Sequence, residues 1–409
     1  MNIPFFHIFD LPMNQSLPQS STRILSIDLL RGLVMVLMAL DHVRDFFHSE
    51  AFVDDPLNLA TTTPALYFTR WITHFCAPVF VFLSGISAFL SGTRKTKNDQ
   101  SLFLIKRGLW LILVEFTLVT FGWTFNPFFN IFVMQVIWAI GVSMIALGIM
   151  VHLPLKAIGV ISILLITGHN VLDYAEAEIH GQAGFLWDAL HRGHFTLYPF
   201  WRNHAFLIVY PLIPWMGIMG LGYCFGTMYT SAFDTTKRIK ILLATGLGLL
   251  LGFVILRWFN NYGDPHPWTE QASSGLTFLS FLDVTKYPPS LAFSSIMLGP
   301  ALLFLAFTES WNNRYIKPLL IFGKVPFFYY IVHIYLIHVL CVAVFFFTGH
   351  SVSEIASGET PFLFRPREFG YSLLIVYFIW IAVVAGLYYP CKKYLEYKLK
   401  HKTGWSSYL

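Results

Sequence analysis

Apolar residues dominate this chain in long runs, and polar residues collect in the segments between them. A helix needs about 20 apolar residues to cross a bilayer. Ten runs come close to or exceed that length: 25–47, 66–91, 104–122, 131–151, 155–172, 203–229, 239–259, 290–308, 319–347 and 370–391. The pattern therefore predicts an all-α polytopic membrane protein with about ten transmembrane helices.

Lysine and arginine are unevenly distributed between the two sides that this pattern defines. With the N-terminus on the cytoplasmic side, the inner segments hold 18 of these residues and the outer segments 8. Because cytoplasmic loops are enriched in Lys and Arg, both termini are predicted to be cytoplasmic. The boundaries then give a tail at 1–22, a transmembrane domain at 23–392 and a basic tail at 393–409. Two long polar segments, 173–202 and 260–289, are predicted to be extracytoplasmic.

Composition supports the membrane class and excludes others. Of 409 residues, 56% are hydrophobic and only 12% are charged, and the mean hydropathy is +0.61. Soluble domains are nearer 25% charged. The net charge of +5 comes from residues at helix ends rather than from one patch, which argues against a nucleic-acid partner. The four cysteines are far apart and form no C-x-x-C pair, so we expect small buried hydrophobes rather than disulfides.

The first predicted helix carries an unusual number of ionisable residues within "RILSIDLLRGLVMVLMALDHVRDFFH" at 23–48. With 100° between residues, Arg31 and His42 return to nearly the same face. One stripe of that face contains Asp28, Arg31, Met35, Met38, His42 and Asp45. An ionisable residue in a membrane helix costs about 2.5–3.5 kcal/mol, so such residues usually face a cavity or a partner.

The stripe suggests a chemistry. Arg31 and His42 are separated by about 16 Å along the axis. Arg31 could hold an anion while a long arm reaches His42, and coenzyme A has this shape. His42 would act as a general base for an acceptor, with Asp45 or Asp41 fixing its tautomer. The alternative is a structural ion pair between Asp28 and Arg31, with His42 as an interfacial polar residue.

Basic residues at the predicted cytoplasmic face are candidates for binding the phosphates of such a donor. They are Lys106, Arg107 and Lys324. The alternative is that they only set the topology, because positive charge is expected on this side in any case.

Further polar residues stand in apolar surroundings. Glu115 is predicted to bond a neighbour or to balance Arg31. His74 enters the second predicted helix from the outer side and could meet His42. Tyr329 and His333 share a helix face because they are four positions apart. For His74 the alternative is an ordinary polar residue at the membrane interface.

Lys286, in "TKYPPS", could contact a polar acceptor. No metal is expected. His338 lies about 140° round the helix from His333, so these two do not chelate. The pair His191 and His194, in "HRGH", has a spacing that could bind zinc, but two ligands are a weak signal.

Several stretches resemble a known family. "SIDLLRGLVMVLMALDH", "PVFVFLSGISAFL" and "GKVPFFYYIVH" are similar to the heparan-α-glucosaminide N-acetyltransferase catalytic-domain family, within the wider transmembrane acyltransferase superfamily. "YPLIPWMGIMGLGYCFG" and "TKYPPSLAF" resemble its bacterial members in particular. The resemblance extends from about 23 to 347. The spacing between Arg31 and His42 is also similar to that in integral-membrane sugar O-acyltransferases.

The resemblance implies an enzyme of the bacterial inner membrane. Its co-substrate would be cytoplasmic acetyl-coenzyme A, and the acyl group would reach the amine or hydroxyl of an extracytoplasmic sugar or glycan. The resemblance also carries His333 over directly. Animal members have Asn at the position of His42 and an essential His in the following loop, where this chain has only His48. His42 is therefore the first candidate for the catalytic base and His48 the second.

A different class of function fits the same charges. Intramembrane ionisable residues also mark substrate paths, so a transporter or flippase of a sugar-linked or lipid-linked substrate is the alternative. The residues leave open the acceptor, the acyl chain and the oligomeric state. They also leave open whether transfer is direct or passes through an acylated His.

Overall fold

The structure is a computed structural model. It describes residues 24–193, 195–311, 316–356, 360–366 and 369–401. The predicted N-terminal tail at 1–22 and residues 402–409 of the predicted C-terminal tail lie outside the described residues.

The described chain is mostly helical. Its α-helices are α1 (Leu25–Phe47), α2 (Pro64–Thr73), α3 (Cys76–Gly92), α4 (Lys97–Val114), α5 (Thr120–Thr124), α6 (Val136–Met150), α7 (Leu155–Gly168), α8 (Val171–Glu176), α9 (Phe185–Trp187), α10 (Ile213–Phe225), α11 (Thr235–Phe259), α12 (Ser274–Leu282), α13 (Leu291–Thr308), α14 (Lys317–Lys324), α15 (Pro326–Phe347) and α16 (Leu373–Lys400). Two π-helical segments, Glu115–Val119 and Asp188–Arg192, continue α4 and α9.

Six helical segments of the described chain are long and apolar enough to cross a membrane. They are Pro64–Gly92, Leu155–Glu176, Thr235–Phe259, Leu291–Thr308, Pro326–Phe347 and Leu373–Lys400. Helix α1 coincides with the predicted run 25–47, whereas the run 104–122 begins inside α4 and continues through the π-helical segment into α5; α1 and α4 carry several charged residues each. The chain is therefore a helical membrane protein, as the sequence predicts.

A small sheet departs from the all-α prediction. Its strands are β1 (Ile131–Met134), β2 (Thr196–Trp201) and β3 (His204–Ile208), in the order β1-β3-β2. The strand β3 pairs in parallel with β1 and antiparallel with β2. The predicted helices at 131–151 and 203–229 were wrong at their first residues. Periodicity alone cannot assign a short continuous apolar run to strand or helix, and here the pairing between β1 and β3 decides.

Side chains at the helix starts explain where several helices begin. Thr96, Asp234 and Ser290 each accept a hydrogen bond from the backbone N–H three residues on, at the start of α4, α11 and α13. Such caps satisfy backbone donors that have no partner within the helix. The predicted run 319–347 is divided between α14 and α15, and Pro326 is the first residue of α15.

Helix α1 occupies the centre of the bundle, where α2, α3, α13, α14, α15 and α16 contact it. Its closest neighbour is α14, because two glycines let the backbones meet. A Cβ added to Gly32 would lie 1.8 Å from the carbonyl oxygen of Leu319, and one added to Gly323 would lie 1.8 Å from that of Asp28. Small residues at such positions are typical of helix packing in membranes.

Candidate active site

A partly enclosed cavity of about 330 Å³ lies between α1, α3, α4, α6 and α15. Its walls are largely apolar. Met35 and Met38 of α1 face it, as does Tyr330 of α15. The cavity therefore runs along the stripe of α1 that the sequence singled out.

Four basic side chains line this cavity: Arg31, Arg107, Lys324 and Lys398. Among the described residues that line it, none is acidic. Lys106, which the sequence placed with Arg107, is exposed and does not line the cavity. Lys398 was not predicted, because the basic C-terminal tail was attributed to topology alone. Together the four charges suit an anionic ligand.

Arg31 serves the packing as well as the cavity. Its Nη1 donates to Asp28 Oδ1 at 3.1 Å and to the carbonyl oxygen of Gly323 at 3.2 Å. Its Nη2 donates to Ser87 Oγ at 3.0 Å. These bonds fix the guanidinium between α1, α3 and α14, so the predicted ion pair with Asp28 and the predicted contact with a cavity both occur.

The C-terminal part of the α1 stripe holds one member of a pair of imidazoles. Nδ1 of His42 lies 2.7 Å from Nε2 of His333. Nδ1 of His333 lies 3.0 Å from the carbonyl oxygen of Tyr329. Tyr329 therefore contacts His333 as the shared helix face predicts, but through its backbone carbonyl oxygen rather than its side chain. His333 is fully buried and His42 is half-buried.

This chain of contacts fixes the tautomer of both rings when they are neutral. A carbonyl oxygen can only accept, so His333 carries its proton on Nδ1 and its Nε2 must accept. The donor to that Nε2 is then Nδ1–H of His42. It follows that Nε2 of neutral His42 carries a lone pair, which is the form a general base requires.

The imidazole of His42 lies among aromatic rings. Its ring centroid is 4.7 Å from that of Trp123 and 6.4 Å from that of Tyr330. Within the described residues, Nε2 of His42 has no hydrogen-bond partner. His42 itself does not line the cavity, and Tyr330 is the lining residue whose ring lies beside it.

Asp41 and Asp45 do not hold His42, contrary to the prediction. Asp41 accepts two hydrogen bonds from Arg70, at 2.7 and 2.9 Å, and one from Thr73 at 2.9 Å. Arg44 bonds both carboxylates, Asp41 at 3.1 Å and Asp45 at 2.6 Å. Nearby arginines bind a carboxylate more strongly than a neutral imidazole does, so they determine its position.

His48 lies at the end of α1, away from the imidazole pair. Its Nδ1 accepts from the backbone N–H of Glu50 at 3.3 Å, and its carbonyl oxygen accepts from Arg365 at 2.7 Å. Burial, followed by the charge of Arg44, lowers the pKa of His48 below its usual value. It lies six positions after His42, a distance of about 9 Å along the helix axis.

Glu115 is fully buried at the first turn of the π-helical segment. Its Oε2 accepts from the backbone N–H of Trp138 at 2.7 Å, at the start of α6. The predicted neighbour is therefore the N-terminus of a helix, where carboxylates are stabilised.

His74 and Lys286 are buried outside the cavity. The ring of His74 lies 5.7 Å from that of Phe293. The Nζ of Lys286 lies 5.0 Å from the ring of Tyr287 and 5.9 Å from that of Tyr210. Lys286 interacts electrostatically with Asp41, His42 and His74. Lys286 is thus near His42, and neither it nor His74 contributes to the cavity wall.

Residues 23–255 match a family model described as heparan-alpha-glucosaminide N-acetyltransferase, catalytic. The match covers more than half of the chain and includes Arg31, His42 and Arg107. His333 and Lys398 lie beyond it. No curated protein matches the chain.

Proposed function

The chain belongs to the heparan-alpha-glucosaminide N-acetyltransferase catalytic family, and from that premise we propose which groups it joins and across which membrane. The donor is cytoplasmic acetyl-coenzyme A. The acceptor is the amine or hydroxyl of a sugar or glycan outside. The family itself implies a membrane acetyltransferase, and the identity of donor and acceptor is our proposal.

One observation supports the donor above all. The cavity carries four basic side chains, and Tyr330 in its wall has its ring centroid 6.4 Å from that of His42. A ligand with phosphates at one end and a thioester at the end of a narrow apolar arm matches this distribution of charge. The basic residues would bind the phosphates, and Met35 and Met38 would contact the arm.

The imidazole pair supplies the proton transfer. As the acceptor attacks the thioester carbonyl, Nε2 of His42 takes the proton that the acceptor loses. The carbon–sulfur bond then breaks, and the proton returns to the departing thiolate. While His42 is protonated, Nε2 of His333 continues to accept from its Nδ1–H, which stabilises the imidazolium.

The proposal includes a topology. Ten crossings place both termini in the cytoplasm and the segments 173–202 and 260–289 outside, with the acyltransferase domain at 23–392 between the tails at 1–22 and 393–409. Arg107, Lys324 and Lys398 then face the side from which the donor arrives. The membrane is the bacterial inner membrane.

Transfer across sealed vesicles tests the function. Purified protein is reconstituted in liposomes that enclose glucosamine as the acceptor probe, and radiolabelled acetyl-coenzyme A is added outside. We expect labelled N-acetylglucosamine inside the vesicles, and none with His42→Ala. Crossing of glucosamine without acetylation would instead indicate a transporter. Product confined to the donor side, tested with glucosamine added there, would overturn transfer across the membrane.

A further inference from the structure

A second group of ionisable side chains lies outside the cavity. Asp173 and Glu176 occupy neighbouring positions on one face of α8. His191 comes from the π-helical segment Asp188–Arg192 and is fully buried. His169, at the end of α7, is 3% exposed. The mechanism proposed above uses none of them.

The geometry of this group is that of a ligand set. Asp173, Glu176 and His191 each offer one ligand atom, and these three atoms lie within 4.8 Å of one another. Nδ1 of His191 is 2.9 Å from Oε1 of Glu176. Ligands of a tetrahedral zinc ion, bound at about 2.0–2.2 Å, lie roughly 3.3 Å apart. Small side-chain movements would bring the three ligand atoms from their present spacing to the spacing around a zinc ion.

Two neighbours orient the ligand atoms from outside. Nε2 of His191 lies 3.0 Å from Nδ1 of His169, and the Nδ2 of Asn170 donates to Asp173 Oδ2 at 2.7 Å. Metal-binding histidines usually donate their second ring N–H to such a partner, and metal-binding carboxylates are usually hydrogen-bonded too.

Charge in this group is unbalanced without a cation. The electrostatic neighbours of Asp173 are His191, Glu176 and Asp264, with no lysine or arginine among them. Even a protonated His191 would offset only one of the carboxylates. A divalent ion would neutralise the two that lie closest together.

We propose that Asp173, Glu176 and His191 bind a zinc-class divalent cation. One imidazole with two carboxylates suits this class, and three protein ligands leave a fourth position for water. The ion would connect α8 to the segment 185–192 and would thereby tether both ends of the polar segment between them. The sequence offered His191 and His194 as a weak zinc-binding pair. Only His191 belongs to the set proposed here, and His194 lies outside the described residues.

Metal binding by the full-length protein tests the site. Protein in detergent is stripped with a chelator, and its zinc equivalents are counted by competition with a chromophoric chelator. The test variant is Asp173→Asn/Glu176→Gln, which keeps the shapes of both side chains. The matched control is Glu178→Gln, an exposed residue of the same segment. Cobalt absorption spectra report the ligand geometry independently.

We expect the wild type and Glu178→Gln to bind one zinc equivalent more than the double variant. Zinc should also slow proteolysis between 177 and 190 in those two proteins only. Equal zinc binding by the double variant and the wild type would overturn the site, as would binding by the wild type only at millimolar zinc. If the double variant does not elute as a folded protein, Glu176→Gln alone is judged by the same criterion.

Discussion

The rings of His42 and His333 meet at 2.7 Å although 291 positions separate them along the chain. The contact joins α1 to α15, and the carbonyl oxygen of Tyr329 completes it. Three groups therefore determine which nitrogen of His42 carries a lone pair. The proposed general base is a property of the folded bundle rather than of α1 alone.

Loss of His42 should remove most of the turnover. His42→Ala deletes the proton acceptor, and a positioned base contributes about 10²–10⁴-fold to the rate. Coenzyme A affinity should change little, because Arg31, Arg107, Lys324 and Lys398 remain. Acetyl transfer and binding are measured separately. His48→Ala serves as the comparison and should be much milder; the reverse order would move the catalytic base to His48.

Loss of His333 should lower the rate without weakening donor binding. His333→Ala removes the acceptor that holds the tautomer and stabilises the imidazolium, and a hydrogen bond to a charged group is worth about 1.5–3 kcal/mol. We expect kcat to fall roughly 10- to 100-fold with KM for the donor unchanged. Tyr329→Phe is the control, because only the backbone oxygen of Tyr329 takes part. Equal damage by both variants would point to packing instead.

The basic side chains of the cavity should determine donor affinity. Arg107→Ala and Lys398→Ala each remove a charged contact to phosphate, so the dissociation constant of coenzyme A should rise roughly 10- to 100-fold. Lys106→Ala is a close control, because its side chain is exposed beside Arg107 and does not line the cavity. Isothermal titration measures all three. A similar loss with Lys106→Ala would indicate a general surface effect.

The contact between α1 and α14 should be intolerant of a single methyl group. A Cβ at Gly323 would overlap the carbonyl oxygen of Asp28, so Gly323→Ala should cost about 1–3 kcal/mol of stability through overpacking. Gly248→Ala is the control, since nothing lies within 4 Å of that position in α11. Thermal unfolding in detergent should show a lower midpoint for Gly323→Ala alone. Equal midpoints would mean that the helices separate easily.

The proposed topology predicts which positions react with an impermeant thiol reagent. Glu178→Cys and Glu270→Cys should label from outside intact cells, and Lys97→Cys only after the membrane is opened; all three side chains are exposed. Three native cysteines are buried and Cys224 is partly buried, so the unmodified protein gives the background. Labelling of Glu178→Cys or Glu270→Cys only in opened cells would reverse the orientation.

Much of the architecture could be predicted because it depends on local patterns. The run at 25–47 coincides with α1, and 290–308 nearly coincides with α13. Three residues of the predicted α1 stripe, Arg31, Met35 and Met38, line one cavity. Helical periodicity determines such faces before any tertiary contact forms.

The partners of the polar groups could not be predicted, because they come from distant parts of the chain. Asp41 is adjacent to His42 in sequence but binds Arg70, 29 positions away, in addition to the nearby Arg44. In the sequence, Lys398 belongs to what looks like an ordinary basic tail. In the structure, it is part of α16 and lines the cavity. The strand β1 needed β3, which follows it by some 70 residues, before its conformation was determined.

The central position of α1 has a consequence for the biogenesis of the protein. This helix leaves the ribosome before the other described helices, yet four of the helices that enclose it, α13 to α16, are the last of them to be synthesised. Until then His42 lacks His333, and Arg31 lacks the carbonyl of Gly323. A nascent chain therefore holds a charged helix in the bilayer without its final partners, at a cost that only the completed chain removes. Chains cut short before α14 should accordingly depend on a membrane chaperone or be degraded.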